Sequence, residues 1–162
     1  MRTSTTVTLA IQILGLASLG MAADPIIGTW RLNLSQSKFS PAHSEMIDPR
    51  PKLHIETYRE IEDRIEVSGT VTHLDGSSMS GKLSWPKQGG VMKFENAAVS
   101  DLSIVEALLA PGEWLAITMR DGRQVGTRRK VISKDGKTMR QTVTSFAPDG
   151  KPIEQVEVYD RQ

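Results

Sequence analysis

The side chains best equipped for chemistry are three histidines, His43, His54 and His73, a row of carboxylates at Glu56, Glu60, Glu62 and Glu66, and a C-terminal pair, Glu157 and Tyr159. A metal centre needs three or four converging donors, and these histidines form no close ligand pair, so no metal is expected. Paired carboxylates can do acid–base work, but this row occupies even positions in a segment whose odd positions are apolar. That pattern assigns it to a water-facing side, where carboxylates keep ordinary pKa values. Glu157 has two readings. Pointing inward beside Tyr159, it would need a raised pKa or a cationic partner such as Arg140; pointing outward, it is a surface acid on a terminal strand. There is no Cys nucleophile, no Gly-X-Ser-X-Gly elbow and no Gly-rich phosphate loop leading into a helix. The sequence therefore offers no catalytic constellation and implies no cofactor.

The elements that must position these residues read as strands. Asp-Gly pairs stand at Asp75-Gly76, Asp121-Gly122, Asp135-Gly136 and Asp149-Gly150, and the last three recur every 14 residues. Asp tolerates and Gly favours the positive φ that a tight hairpin turn demands, so each pair predicts a hairpin. Leu53 to Val71 shows period two: Leu53, Ile55, Ile61, Ile65, Val67 and Val71 are all odd-numbered, and parity is read as kept across a turn at Glu62-Asp63. Strands are also expected at 77–85, 91–95 and 114–120, with Leu115, Ile117 and Met119 on one side of the last; 102–109 reads as a strand or a short helix. Ser35 to Lys52 contains Pro41, Pro49 and Pro51 and is read as an irregular connection laid over the barrel mouth or side, a candidate lid.

About eight to ten antiparallel strands joined in series leave two architectures, an up-and-down β-barrel or a two-sheet sandwich, and serial hairpins favour the barrel. Pairs of residues around the 135–136 turn sum to 271, which sets Arg140 opposite Val131 and Arg129 opposite Thr142. Neither face of that hairpin is purely apolar, so the interior is read either as a hydrated or ligand-holding lumen or as a strand whose parity switches at a bulge.

The N-terminus carries one charge, Arg2, an apolar run from Val7 to Gly20, and small residues at Gly20 and Ala22. This is the pattern of a secretory signal over 1–22, leaving one mature domain over 23–162 with a periplasmic or extracellular destination and no membrane span. With Arg2 set aside, 19 Lys and Arg balance 19 Asp and Glu. Nucleic-acid binding, which requires a basic excess, is not expected. The run Arg128-Arg129-Lys130 reads as a solvated face. The chain contains no Cys, so the domain is held by its core alone.

Gly28-Thr29-Trp30 resembles the Gly-X-Trp signature on the first strand of lipocalins and the related fatty-acid-binding proteins. The resemblance implies a calycin barrel in which Gly28 and Trp30 are structural, with the Trp closing one end beneath a cation from a late strand; Arg128, Arg129 and Lys130 are the candidates. Val156 to Arg161 is similar to the closing strand of fatty-acid-binding proteins, which carries Arg-X-Tyr to grip a carboxylate. Here Tyr159 matches, but Glu157 stands at the Arg position.

Together these readings lead to an exported, non-enzymatic barrel holding a small apolar or amphipathic ligand. Leu53, Ile55, Ile65, Val67, Ile117 and Met119 form the expected apolar lining, with Tyr159, Arg140 and Glu157 at the polar end. A filled barrel with an envelope-structural or protein-interaction role, and an enzyme built on the same scaffold, are the alternatives.

Overall fold

A computed structural model describes residues 23–41, 50–95, 102–147 and 149–162. The expected signal segment, 1–22, and the middle of the expected lid, 42–49, lie outside the described residues.

Eleven strands form one antiparallel sheet: β1 (Gly28–Leu32), β2 (Pro51–Ile61), β3 (Arg64–His73), β4 (Ser78–Pro86), β5 (Gly90–Val91), β6 (Lys93–Glu95), β7 (Leu102–Ala110), β8 (Glu113–Arg120), β9 (Arg123–Ile132), β10 (Thr138–Phe146) and β11 (Pro152–Arg161). Their order is β5-β7-β8-β9-β10-β11-β1-β2-β3-β4-β6. The two ends of that order, β5 and β6, come from one stretch, residues 90–95. Its first half pairs with β7 and its second with β4, so the sheet curls into a nearly closed up-and-down barrel of the lipocalin-like kind. Two of the eleven strands are these short pieces, which accounts for the excess over the eight to ten expected. Residues 102–109 fall within strand β7.

All four Asp-Gly pairs lie between paired strands, but only Asp121-Gly122 has both residues at positive φ, 48° and 73°. In the other three only the Gly does, and the Asp side chain accepts from the backbone two residues on, as in Lys137 N to Asp135 Oδ1 at 3.1 Å. Those turns combine an Asp-anchored bend with a left-handed Gly. The β9–β10 register follows the sum of 271, with Arg140 opposite Val131 and Arg129 opposite Thr142.

The β2–β3 hairpin requires a correction. Its partners sum to 125, as in Tyr58 with Val67 and Glu56 with Gly69. An odd sum means that residues on one face have opposite parity on the two strands. Ile65 and Val67 face inward, and with them the even residues His54, Glu56 and Tyr58 of β2, while Leu53 and Ile55 stand on the outer face.

One end of the barrel is filled. Trp30 is fully buried and its Nε1 donates to Ile26 O at 2.8 Å. The cation over it is Arg161, 4.2 Å from the ring centroid, in place of the expected Arg128, Arg129 or Lys130. Arg161 also donates to the carbonyls of Ile27 at 2.7 Å and Gly136 at 2.6 Å, and to that of Pro25. It thereby ties the start of β1 to the β9–β10 turn. Gly28 is required here, because a Cβ at that position would lie 2.5 Å from the Arg161 guanidinium and its φ is +140°.

Candidate functional site

Inside the barrel lie two chambers, of about 450 Å3 and 280 Å3. The larger is lined chiefly by apolar side chains, among them Leu83, Met92, Ile104, Val125 and Val143. The smaller is more polar and includes His54, Gln155 and Glu157, with Phe39 at its edge. Glu56, Val67, Leu83 and Arg128 line both and mark the junction.

The polar groups at the junction come from facing strands. On β2, Glu56 Oε2 accepts from Tyr58 Oη at 2.6 Å and from Gln141 Nε2 at 2.9 Å. On β11, Glu157 accepts from Gln155 Nε2 at 2.8 Å through Oε1 and from Tyr159 Oη at 2.8 Å through Oε2. Tyr159 Oη also lies 2.9 Å from His54 Nδ1. A phenol has one proton, and it is given to Glu157, so His54 Nδ1 must be the donor to Tyr159. His54 Nε2 is left facing Glu56 Oε1 at 3.6 Å. The two buried carboxylates are thus linked through the Tyr159 phenol and the His54 imidazole, with Tyr58 attached to Glu56 alone.

Arg128 reaches into this network from β9. Burial alone would lower its pKa, but Glu157 and Glu56 hold it above the ordinary arginine range. Among the described residues its guanidinium makes no hydrogen bond or direct ion pair; the two carboxylates act on it through space. Burial pushes the Glu56 pKa up, yet His54, Arg128, the Tyr58 hydroxyl and Lys130 outweigh it, and Glu56 ends below the usual carboxylate range. Both tyrosines are pushed well above theirs, first by burial and then by Glu56, with Glu157 adding to the effect at Tyr159.

A second buried pair sits deeper. Lys130 Nζ is 2.7 Å from Glu106 Oε1, both nearly inaccessible, and lies 4.8 Å from the Trp85 ring centroid and 5.8 Å from that of Tyr58. Trp85 stacks edge to face with Trp114 at 6.0 Å. Five buried polar atoms have no hydrogen-bond partner among the described residues: Trp85 Nε1, Trp114 Nε1, Glu106 Oε2, Gln141 Oε1 and Gln155 Oε1. Of these, only the last belongs to a chamber-lining residue.

The expected site residues divide accordingly. Tyr159 and Glu157 come together in the interior, and Val67 lines both chambers. Ile65 is buried in the core against β4, opposite Trp85. Leu53 and Ile55 are on the outer face, as the register requires. So are Ile117 and Met119: Ala116 and Thr118 line the larger chamber, and their neighbours in sequence point the other way. Outside, Ile117 lies opposite Val105, itself opposite Val91. Arg140 is exposed on the outside of β10, so the cation facing Glu157 is Arg128. Glu56, read as a water-facing acid, is buried at the junction. The basic run Arg128-Arg129-Lys130 alternates, and only Arg129 is outside, where it pairs with Glu113 at 2.7 Å. The missed signal was the odd sum at the Glu62-Asp63 turn, which alone carries Glu56 and Tyr58 inward.

No protein-family model matches the chain, and no curated protein matches it in sequence. Among solved structures, it is similar to a zebrafish ileal bile acid-binding protein complexed with cholic acid, at 11% identity and TM-score 0.53, covering 85% of this chain and 99% of that one. A structure described as the REP1-NXSQ fatty acid transporter matches at 10% identity and TM-score 0.52, covering 87% and 98%. Rv2717c from M. tuberculosis matches at 14% identity and TM-score 0.50, covering 85% and 93%. At these identities the likeness is one of fold: a calycin barrel of the lipocalin and fatty-acid-binding-protein kind, distantly similar to each.

Proposed function

We propose that this protein is an exported, non-enzymatic carrier that holds one small amphipathic molecule inside its barrel. The observation that carries the reading is the divided lumen. Its apolar chamber of about 450 Å3 lies within the roughly 300–1,000 Å3 of ligand sites in general, and it meets a more polar one across buried charged side chains. A barrel with a purely structural role would be expected to fill that space with side chains, as this one does around Trp30. Two of the solved relatives are described as binding cholic acid or transporting fatty acids, which supports an amphipathic guest. Export rests on the N-terminal pattern of the sequence.

The test is titration with N-phenyl-1-naphthylamine, an uncharged dye that brightens in apolar surroundings, together with native mass spectrometry. The expected result is one dye per chain, lost in Val143→Trp, which sets an indole into the larger chamber, while the melting transition persists. Failure of the folded wild-type protein to take up the dye or any amphiphile would refute the carrier reading and favour a structural barrel.

A further inference from the structure

The junction has hydrogen-bonding needs that a guest's head group must meet, and these restrict its chemistry. Gln155 is buried at 6% exposure and lines the smaller chamber. Its Nε2 is committed to Glu157 Oε1 at 2.8 Å. Turning the amide over would set its oxygen against that carboxylate, so Gln155 Oε1 is fixed as an acceptor, and it has no donor. Glu56 Oε1 is short of a close donor as well, its nearest partner being His54 Nε2 at 3.6 Å. Across the same space, the Arg128 guanidinium offers donors that meet no acceptor among the described residues.

Charge narrows the choice further. The ionisable groups facing the lumen are Glu56, Glu157, Glu106, Arg128, Lys130, His54, Tyr58 and Tyr159, with Arg120 at the exposed rim of the larger chamber and already engaged. Lys130 and Glu106 neutralise each other, and the carboxylates of Glu56 and Glu157 face Arg128 and the His54 imidazole, so the junction holds no surplus positive charge for an anionic head. A carboxylate head brought to the junction would meet both acids away from bulk water, where like charges repel strongly. An ammonium would satisfy the acceptors but leave Arg128 unpaired and set a second cation beside it. A hydroxyl donates and accepts at once without adding charge.

Resting on the carrier reading, we infer that the bound molecule is an uncharged, hydroxyl-headed amphiphile, its head at the junction between Arg128, Gln155 and Glu56 and its apolar body in the larger chamber. This is the opposite preference from a carboxylate clamp. Glu157, where such a clamp would carry a cation, is the residue that sets it.

The experiment is displacement of N-phenyl-1-naphthylamine by 1-dodecanol, dodecanoate and dodecylammonium, which share a tail and differ in head group, at neutral pH. Dodecanol is expected to displace the dye at a concentration about tenfold or more below the other two, since an unmatched buried charge costs at least that factor. Glu157→Gln keeps the shape and removes one charge. It is expected to improve dodecanoate binding about tenfold. Dodecanoate or dodecylammonium binding as tightly as dodecanol, or three equal affinities, overturns the head-group assignment while leaving the carrier in place. No dye uptake at all overturns both. The wild-type comparison needs no variant, so it decides even if Glu157→Gln fails to fold.

Discussion

Two arginines on the inner side of this barrel sit in opposite circumstances. Arg161 sits over Trp30, 4.2 Å from the ring centroid, and donates to the carbonyls of Pro25, Ile27 and Gly136. Arg128 faces Glu157 and Glu56 without touching either. The first closes the barrel end, and every contact it makes joins one strand or turn to another. The second is held charged but uncommitted, lining the same chamber as a buried amide oxygen that also lacks a partner. The first arrangement serves stability; on the carrier reading, the second leaves donors at the cavity for a guest.

Breaking the closed end is expected to have the largest effect. Trp30→Ala removes a fully buried indole together with the surface beneath Arg161, and a loss of about 3–5 kcal/mol is expected, read as a lowered denaturation midpoint. Lys130→Met strands the buried carboxylate of Glu106 and is expected to cost about 3 kcal/mol. The double variant Lys130→Met, Glu106→Leu is expected to recover most of that loss; a double variant no better than the single would show that the pair is not coupled as described.

Alkaline pH sharpens the comparison from another side. The chain has two tyrosines, Tyr58 and Tyr159, both buried at or next to the junction and both held protonated well above pH 10 in the folded state. Unfolded, they ionise near 10. Between those values the native state binds more protons, so stability is fully present below pH 10 and falls above it, by up to about 1.4 kcal/mol per pH unit for each phenol. Phenolate absorbance should therefore appear together with loss of structure rather than before it. Glu56 has the reverse sign: its lowered pKa contributes stability above the unfolded carboxylate value, and that contribution is lost as the pH falls through the acid range. The smallest effect belongs to Arg140→Ala, an exposed site on the outer face, where a change within about 0.5 kcal/mol and unaltered dye binding are expected.

Much of the scaffold was legible in the sequence. Asp-Gly pairs located the hairpins, the sum of 271 set the β9–β10 register, and Gly28 with Trp30 marked the closed end. The interior was harder to read, and for one physical reason. Hydrophobic alternation identifies the inner face only when the inside is apolar, and here the inside of β2 carries His54, Glu56 and Tyr58 while Leu53 and Ile55 lie outside. The same inversion on β8 puts Ile117 and Met119 outside, and on β9 it hides Arg128 and Lys130 within what looks like a solvated basic run. Arg161 was out of reach, because its contact with Trp30 depends on how the barrel closes rather than on any local spacing.

The most direct measurement of the central claim, that the guest occupies the lumen, is a set of nuclear Overhauser contacts between carbon-13-labelled 1-dodecanol and the methyl groups of the barrel. Contacts to Val67, Leu83, Ile104 and Val143, with none to Leu53, Ile55 or Ile117, are the predicted result. Contacts confined to the outer-face methyls would contradict it.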